Sequence, residues 1–442
     1  MESSVTFSQL PAAARQRLSG YQRRVTVIAF VSIFFLAADW YAYAAVMPFI
    51  MKDLDLDAAR AGFAMGLFAI TYAASMLVWG PLVDRFLPRR VMFVGLLGSG
   101  ITMVGGAFVQ EYSQALAMRG LRGVFDAAIF VAGLKLLSEW YPVEKRGTQM
   151  GLYLASYSLA ITADFAVGIP IAESFGWRFY IGGLGVLTLI LSVVVPPLVK
   201  NRTVDLGLPS IDWGDRPPRD VTFGSTIRTV MSQRWIYLAA LGIFGCTFAI
   251  SGTATWVVPS FLEVQGISVG QATLVGTLMG LSQVFFLVVG GRFSDSVRKR
   301  ILPMRLAALL AMVSALMFAL SGAVKLSFLL LVLFALLSGV AVFSGGAIFS
   351  MLGDKYSRAM VGTAGGFAEV MGVVASFVAP AAMGAIINGT GSFSWAFLFF
   401  AAVELVILGI FLANRDYKVV PAEKAIRAEG VIAAEGASPE LV

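Results

Sequence analysis

Apolar stretches, each close to the length of one membrane crossing, recur along this chain. They fall at roughly 26–50, 60–82, 91–109, 114–140, 148–172, 177–199, 236–262, 270–291, 302–322, 326–350, 360–387 and 393–414. Crossing the hydrocarbon core takes about 20 such residues in a helix. Lipid offers backbone amides no partner, so only helices or a closed barrel can cross it. Unbroken apolar runs without period-two alternation select helices. The expected fold class is therefore an all-α integral membrane protein with about twelve transmembrane helices. Composition agrees: 58% of residues are hydrophobic and 13% charged, against about a quarter charged in soluble domains. A soluble chain of this size has too few polar groups here to cover its surface.

The remaining composition excludes chemistry. Cys246 is the only cysteine and there is no histidine, so no internal disulfide, cysteine cluster, histidine triad or histidine metal site can form. No G-x-x-x-x-G-K-[ST] loop occurs, which speaks against an ATP-driven pump. Neither an enzyme nor a cofactor is expected, and proton chemistry must fall to carboxylates.

Basic residues set the orientation. With the N-terminus inside, the inner loops collect Arg23 and Arg24, Arg85, Arg89 and Arg90, Lys145 and Arg146, the arginines of the central loop, and Arg298, Lys299 and Arg300. The outer loops hold little beyond Lys52, Arg60, Arg178 and Lys325. That bias places both termini in the cytoplasm and explains the net charge of +7 without nucleic acid. Residues 1–25 are polar and basic and do not read as a signal peptide. The expected organisation is a cytoplasmic segment 1–25, a six-helix bundle 26–199, a cytoplasmic linker 200–235, a second six-helix bundle 236–414 and a disordered tail 415–442.

The two halves repeat a loop. Gly80-Pro-Leu-Val-Asp84-Arg85-Phe-Leu-Pro-Arg89-Arg90 follows the second span, and Gly291-Arg-Phe-Ser-Asp295-Ser-Val-Arg-Lys299-Arg300 follows the eighth. A duplicated six-helix unit accounts for the match, giving two pseudo-symmetric bundles. These loops resemble the G-x-x-x-D-R-x-G-x-R-R signature of the major facilitator superfamily, with Leu87 where glycine is usual. Arg119 to Gly123 in span four, Gly147 after Lys145-Arg146, Gly176-Trp177-Arg178, and Trp256 to Leu262 resemble further motifs of that family. The resemblance implies alternating access, with Gly80, Asp84, Arg85, Arg89, Arg90, Asp295, Lys299 and Arg300 latching helix ends on the cytoplasmic side in one state.

Ionisable residues inside spans cost about 2.5–3.5 kcal/mol each on insertion scales, and are read as functional first. They are Asp39, Arg119, Arg122, Asp126, Lys135, Asp164, Glu369 and Glu404. Arg119, Arg122 and Asp126 share one face of span four, and Arg122 can pair locally with Asp126. An arginine fork suits a carboxylate, and burial favours the neutral form of a carboxylic acid. A proton on the acid would then release the arginine for an anionic substrate. Lys135 can snorkel, Asp164 and Glu369 stand in reserve, and Glu404 reads as peripheral. Trp40, Tyr43, Tyr72, Tyr153 and Trp256, with Tyr41 and Tyr157, are candidates to line a substrate pocket.

Asp39 in Ala38-Asp39-Trp40-Tyr41 resembles the Y-x-D-R motif of the anion:cation symporters, and Asp126 stands where that group carries a glutamate seven residues after its arginine, here Arg119. The resemblance implies that Asp39 and Asp126 are proton sites and that organic anions enter with protons. Trp40 replaces that group's helix-one arginine, which leaves room for an aromatic or less hydrophilic monocarboxylate in place of a sugar acid. The expected function is proton-coupled uptake of a small organic anion by a monomer, binding lipid and substrate but no nucleic acid. Export of drugs or apolar metabolites by proton antiport, or sensing without transport on the same scaffold, are the alternatives.

Overall fold

The computed structural model describes residues 10–141, 143–209, 211, 223–356 and 358–417, and among them there is no β-strand. Twelve long helices carry the fold. We label them α1 Ala12–Asp53, α2 Ala58–Phe86, α3 Pro88–Gly106, α4 Tyr112–Trp140, α5 Val143–Ala163, α6 Trp177–Leu198, α7 Arg234–Ser260, α8 Val269–Val297, α9 Ile301–Ala323, α10 Phe328–Ser338, α11 Arg358–Thr390 and α12 Phe393–Ala413. The helix of α5 continues through a π-turn, Asp164–Gly168, into Ile169–Phe175, and α7 ends in a second π-turn, Phe261–Gln265. After Ser338 the α10 segment tightens into a 3-10 turn, Gly339–Val342, and resumes as Gly345–Lys355.

Ten of these helices, α5 and α10 together with their continuations, are long and apolar enough to cross a membrane. The two that fall short are α3 and α4, and the reason is local. The first opens on Arg89 and Arg90, and the second carries Arg119, Arg122, Asp126 and Lys135. Both are nevertheless embedded among the others, against α6 and α2 respectively.

Helix α1 starts well before the expected residue 26. Leu18, Tyr21 and Val25 form a buried stripe along its early turns, and the Tyr21 hydroxyl donates to the Leu198 carbonyl at 2.9 Å. Docking on the end of α6 extends the helix. Within the expected linker, Phe223–Met231 is also helical.

Packing repeats between the halves. In the first, α2 lies on α4 and α3 on α6; in the second, α8 lies on the α10 segment and α9 on α12. Helices α2 and α11 cross between halves, as do α5 and α8, with α1 meeting α7 at the centre. Exchanging the halves maps each of these pairings onto another or onto itself, as a pseudo-two-fold demands.

The two crossings are tightest at the end away from the termini. A Cβ on Gly62 of α2 would sit 2.2 Å from the Pro380 carbonyl oxygen, and one on Gly384 of α11 would sit 2.3 Å from that of Ala58. Across the other seam, Cβ atoms on Gly276 and Gly280 of α8 would meet Phe165 at 2.3 Å and Thr162 at 2.4 Å. Small residues let backbones approach in this way where lipid supplies no hydrophobic drive. Toward the terminal end, Gly80, Gly365 and Gly366 have no such neighbour within 4 Å.

Candidate functional site

The ionisable residues of spans one and four meet inside the first bundle. Asp39 is 1% exposed, and Arg119, Arg122 and Asp126 are fully buried. Arg122 Nη1 stands 3.0 Å from Asp39 Oδ1, close enough for an ion pair though not aligned as a hydrogen bond. Its Nη2 donates to the Thr102 carbonyl of α3 at 3.3 Å. The local Arg122–Asp126 pair expected from spacing is thus replaced by one between helices. An i,i+4 partner lies along its own helix, whereas Asp39 comes to Arg122 from α1.

Asp126 instead faces Asp39, with the two carboxyl groups within hydrogen-bonding reach of each other. The Ser99 hydroxyl donates to Asp39 Oδ2 at 3.2 Å. Neither Asp126 oxygen finds a hydrogen-bond donor. Two acceptor groups face to face in a dry site repel unless a proton sits between them.

Arg119 donates to the carbonyls of Trp40, at 3.0 Å, and Asp39, at 3.4 Å. Its guanidinium carbon lies 4.6 Å from the ring centres of both Tyr43 and Phe68. Neither arginine opens onto solvent. Trp40, whose ring centre is 4.6 Å from that of Phe68, closes the layer above Arg119. The reading of Arg119 and Arg122 as substrate ligands therefore meets a sealed network.

Trp40 also opens an aromatic box that joins α1, α2, α4 and α5. Trp40 packs edge-on to Tyr72 at 5.4 Å, Tyr72 to Phe130 at 6.1 Å, and Phe130 to Tyr153 at 5.8 Å. The Tyr153 hydroxyl donates to the Phe130 carbonyl at 3.0 Å. Tyr157 lies within electrostatic range of Asp126 on one side and of Glu369, on α11, on the other. Tyr43 is an exception among the expected pocket residues, since it sits beneath the arginines. Trp256 belongs to the seal: its indole N–H donates to the Pro380 carbonyl at 3.1 Å, beside Gly62.

Asp164 sits in the π-turn of the α5 segment and accepts from the Tyr180 hydroxyl at 2.6 Å. Lys135 pairs with Glu139 at 3.2 Å. Glu404 is the clear departure. Expected at the periphery, it is 1% exposed and buried inside the second bundle, because α12 turns that face onto α7 and α9.

Of the two repeated loops, the second is assembled. Arg300 Nη1 donates to Asp295 and Ser294, and its Nε to Asp354, each at 2.9 Å. Burial works to lower the guanidinium's pKa, but the hydrogen bonds to Asp295 and Asp354 outweigh it and raise the pKa above the usual arginine value. Lys299 contributes its carbonyl, which accepts from the Ser294 hydroxyl at 3.1 Å. The chain beyond α12 joins in. Tyr417 donates to Asp354 at 3.1 Å, and Asp416 accepts from the Ile301 and Leu302 amides at 3.0 and 2.8 Å.

In the first copy the Asp84 side chain lies outside the described residues. Arg85 is exposed over the Phe86 ring, Arg90 is exposed, and the Arg89 amide donates to Asn201 at 3.1 Å. Leu87 has φ +70°, a backbone setting that glycine adopts without cost. That is the physical reason a glycine is usual at this point in the motif.

The sequence matches the Major Facilitator Superfamily over residues 29–380 and 239–438. A hexuronate transporter of Bacillus subtilis (strain 168) is 24% identical over 369 residues, spanning 81% of this chain and 86% of that one. A protein of Escherichia coli (strain K12) described as a probable galactarate/D-glucarate transporter is 25% identical over 422 residues, spanning 86% and 92%. In fold the chain resembles a solved bacterial homologue of the human lysosomal transporter Spinster, inward-facing and unoccupied. The TM-score is 0.74 at 16% identity, with 91% of this chain and 99% of that one covered. Together these place the chain among multi-pass membrane transporters and not among enzymes. The chain belongs to the Major Facilitator Superfamily.

Proposed function

We propose that this protein carries a small organic anion, a carboxylate, into the cell together with protons, by rocking its two bundles about a site between them. The observation that carries the reading is the Asp39–Arg122 ion pair, with Ser99 donating to Asp39 and the buried, unpartnered Asp126 carboxyl against it. A buried ion pair loses much of its attraction to desolvation, so a competing proton or anion can shift it. Protonation of Asp39 leaves Arg122 without its counter-ion and the bundle with an excess positive charge. An anion arriving at the aromatic box restores neutrality once Trp40 and Phe68 yield. Loss of the proton re-forms the ion pair and expels the anion. The transporter names of relatives with hexuronate and glucarate substrates support the acid class. The rings of Trp40, Tyr72, Phe130 and Tyr153 favour an anion with a flat or apolar body.

The protein acts as a monomer in the plasma membrane, and the distribution of basic residues supports cytoplasmic placement of both termini. With the far-end seams closed, the described state then opens to the cytoplasm. Rocking consists of parting α2 from α11 and α5 from α8 at the outer end while the Arg300 cluster and its first-half counterpart draw together at the inner end.

The test is uptake of labelled hexuronates, aldarates and aromatic monocarboxylates into proteoliposomes under an imposed proton gradient. Uptake of at least one falls to background when a protonophore is added. Asp39→Asn abolishes gradient-driven uptake while sparing exchange of the same solute. Uptake unchanged by the protonophore sinks the coupling scheme.

One observation favours a second reading. The acid of the second bundle that acts electrostatically on Tyr157 is Glu369, which suits a cation or an apolar body exported against protons. On that reading Arg119→Gln leaves transport nearly intact, whereas on the first it abolishes it.

A further inference from the structure

Glu404 lies away from the Asp39–Asp126 pair, in the second bundle, and nothing in the coupling scheme uses it. Its carboxylate borders a small pocket of about 10 Å³, whose walls include Gly242, Gly245 and Cys246 of α7, Ala308 of α9 and Ser344 just after the 3-10 turn in α10. That volume admits about one water molecule. The cavity exists because its walls are small. A Cβ on Gly245 would stand 3.5 Å from both carboxylate oxygens, and any larger side chain there would fill the space. Glu404 Oε1 has no hydrogen-bond partner. The Ser344 hydroxyl is in contact with the Cys246 thiol at 3.1 Å.

A bare carboxylate in such a place would be costly by several kcal/mol, so an occupant must neutralise it. The titratable neighbours are few. Cys246 faces it from α7, and Glu369 on α11 acts on the same thiol. Arg305 on α9 is turned away, its Nε donating to the Phe411 carbonyl at 3.0 Å. The cavity walls from α9 and from the α10 segment bear no charge. A sodium ion takes more oxygen ligands than one carboxylate and one hydroxyl supply, and a thiol is a poor substitute for them. We propose that Glu404 is a proton-binding site of the second bundle, holding its proton and one water against Ser344 and Cys246 beside the break in α10.

The proposal stands whether or not the carried solute is an organic acid, and its test needs no solute. Because Cys246 is the sole cysteine, the protein has one S–H stretching band, and that band reports on this cavity. Infrared difference spectra of the protein in lipid nanodiscs are recorded across a pH series, in sodium and in choline buffer. The expected result is that the S–H band and one protonated-carboxyl band shift over the same pH interval, equally in both salts. In E404Q that carboxyl band is lost and the S–H band no longer moves with pH, while the cooperative melting of the variant shows that it folds. In C246S the carboxyl band remains, shifted. An S–H band that ignores pH in the wild type, or wild-type and E404Q spectra that superpose, overturns the proposal. A band that moves with sodium at constant pH also overturns it and identifies a metal cation as the occupant.

Discussion

Replacing Gly62 with alanine tests whether the α2–α11 seam is a gate or only a packing contact. The new methyl carbon would lie 2.2 Å from the Pro380 carbonyl oxygen and 3.2 Å from the Trp256 ring. Ordinary contact for such atoms is roughly 3.5 Å, so the two helices must part by about 1 Å. Pro380 is held by Trp256 on α7, which keeps the second bundle from yielding locally. Overpacking of this kind costs about 1–3 kcal/mol. If the halves separate here in the alternative state, the cost falls on the described state alone. The population then moves by roughly 5- to 150-fold toward a state open at this end. The assay places a reporter cysteine at Ala272, buried one turn from Gly276 on α8, in a Cys246→Ser background. Labelling by a membrane-impermeant maleimide is expected to accelerate by that factor in Gly62→Ala. The control Gly20→Ala, where the added carbon meets nothing within 4 Å, leaves it unchanged. If Gly62→Ala melts earlier but labels at the parent rate, the seam is structural in both states and the argument fails.

Arg122→Ala strands the buried Asp39 carboxylate and is expected to cost about 3–5 kcal/mol, read as a lower melting temperature in detergent. The double change Arg122→Gln with Asp39→Asn recovers most of that loss. Leu87→Gly removes a left-handed non-glycine backbone, a strain of about 1–3 kcal/mol, and is expected to raise the melting temperature despite the lost side chain. Asp416→Ala uncaps the first turn of α9 and is expected to cost about 1 kcal/mol in the same assay, with Asp416→Asn losing about half as much. Loss of proton-driven uptake in Asp39→Asn, with exchange preserved, completes the set.

The membrane architecture was legible because each span is written in a contiguous run, and the repeat because its two loops share register. Even α3 and α4, poor as isolated spans, were found from their apolar residues. What the sequence could not disclose are the facts that depend on helices meeting. Arg122 has an acid four residues on, yet its partner is on α1, and only the crossing of α1 and α4 decides that. Arg119 lies on the same face of α4 as Arg122, but spacing does not say whether that face opens to a pocket or closes on Tyr43 and Phe68. Glu404 looked peripheral because it lies in the last helix. The packing of α12 on α9 turned it inward. The break in α10 left one clue, Gly339, where a Cβ would sit 2.2 Å from the Ser282 hydroxyl. The helical start of α1 had its stripe at Leu18, Tyr21 and Val25, which the surrounding arginines obscured.

The tie between Asp39 and Arg122 has a bearing on how the chain is built into a bilayer. With five charged side chains, α4 makes a poor stop for the insertion machinery when it emerges. Its charges become tolerable only against α1, already in place and offering an acid and two carbonyls. The fourth helix is therefore a dependent guest of the first. A lesion at Asp39 would surface during synthesis, as a segment left on the wrong side of the membrane, before any finished protein existed to be assayed.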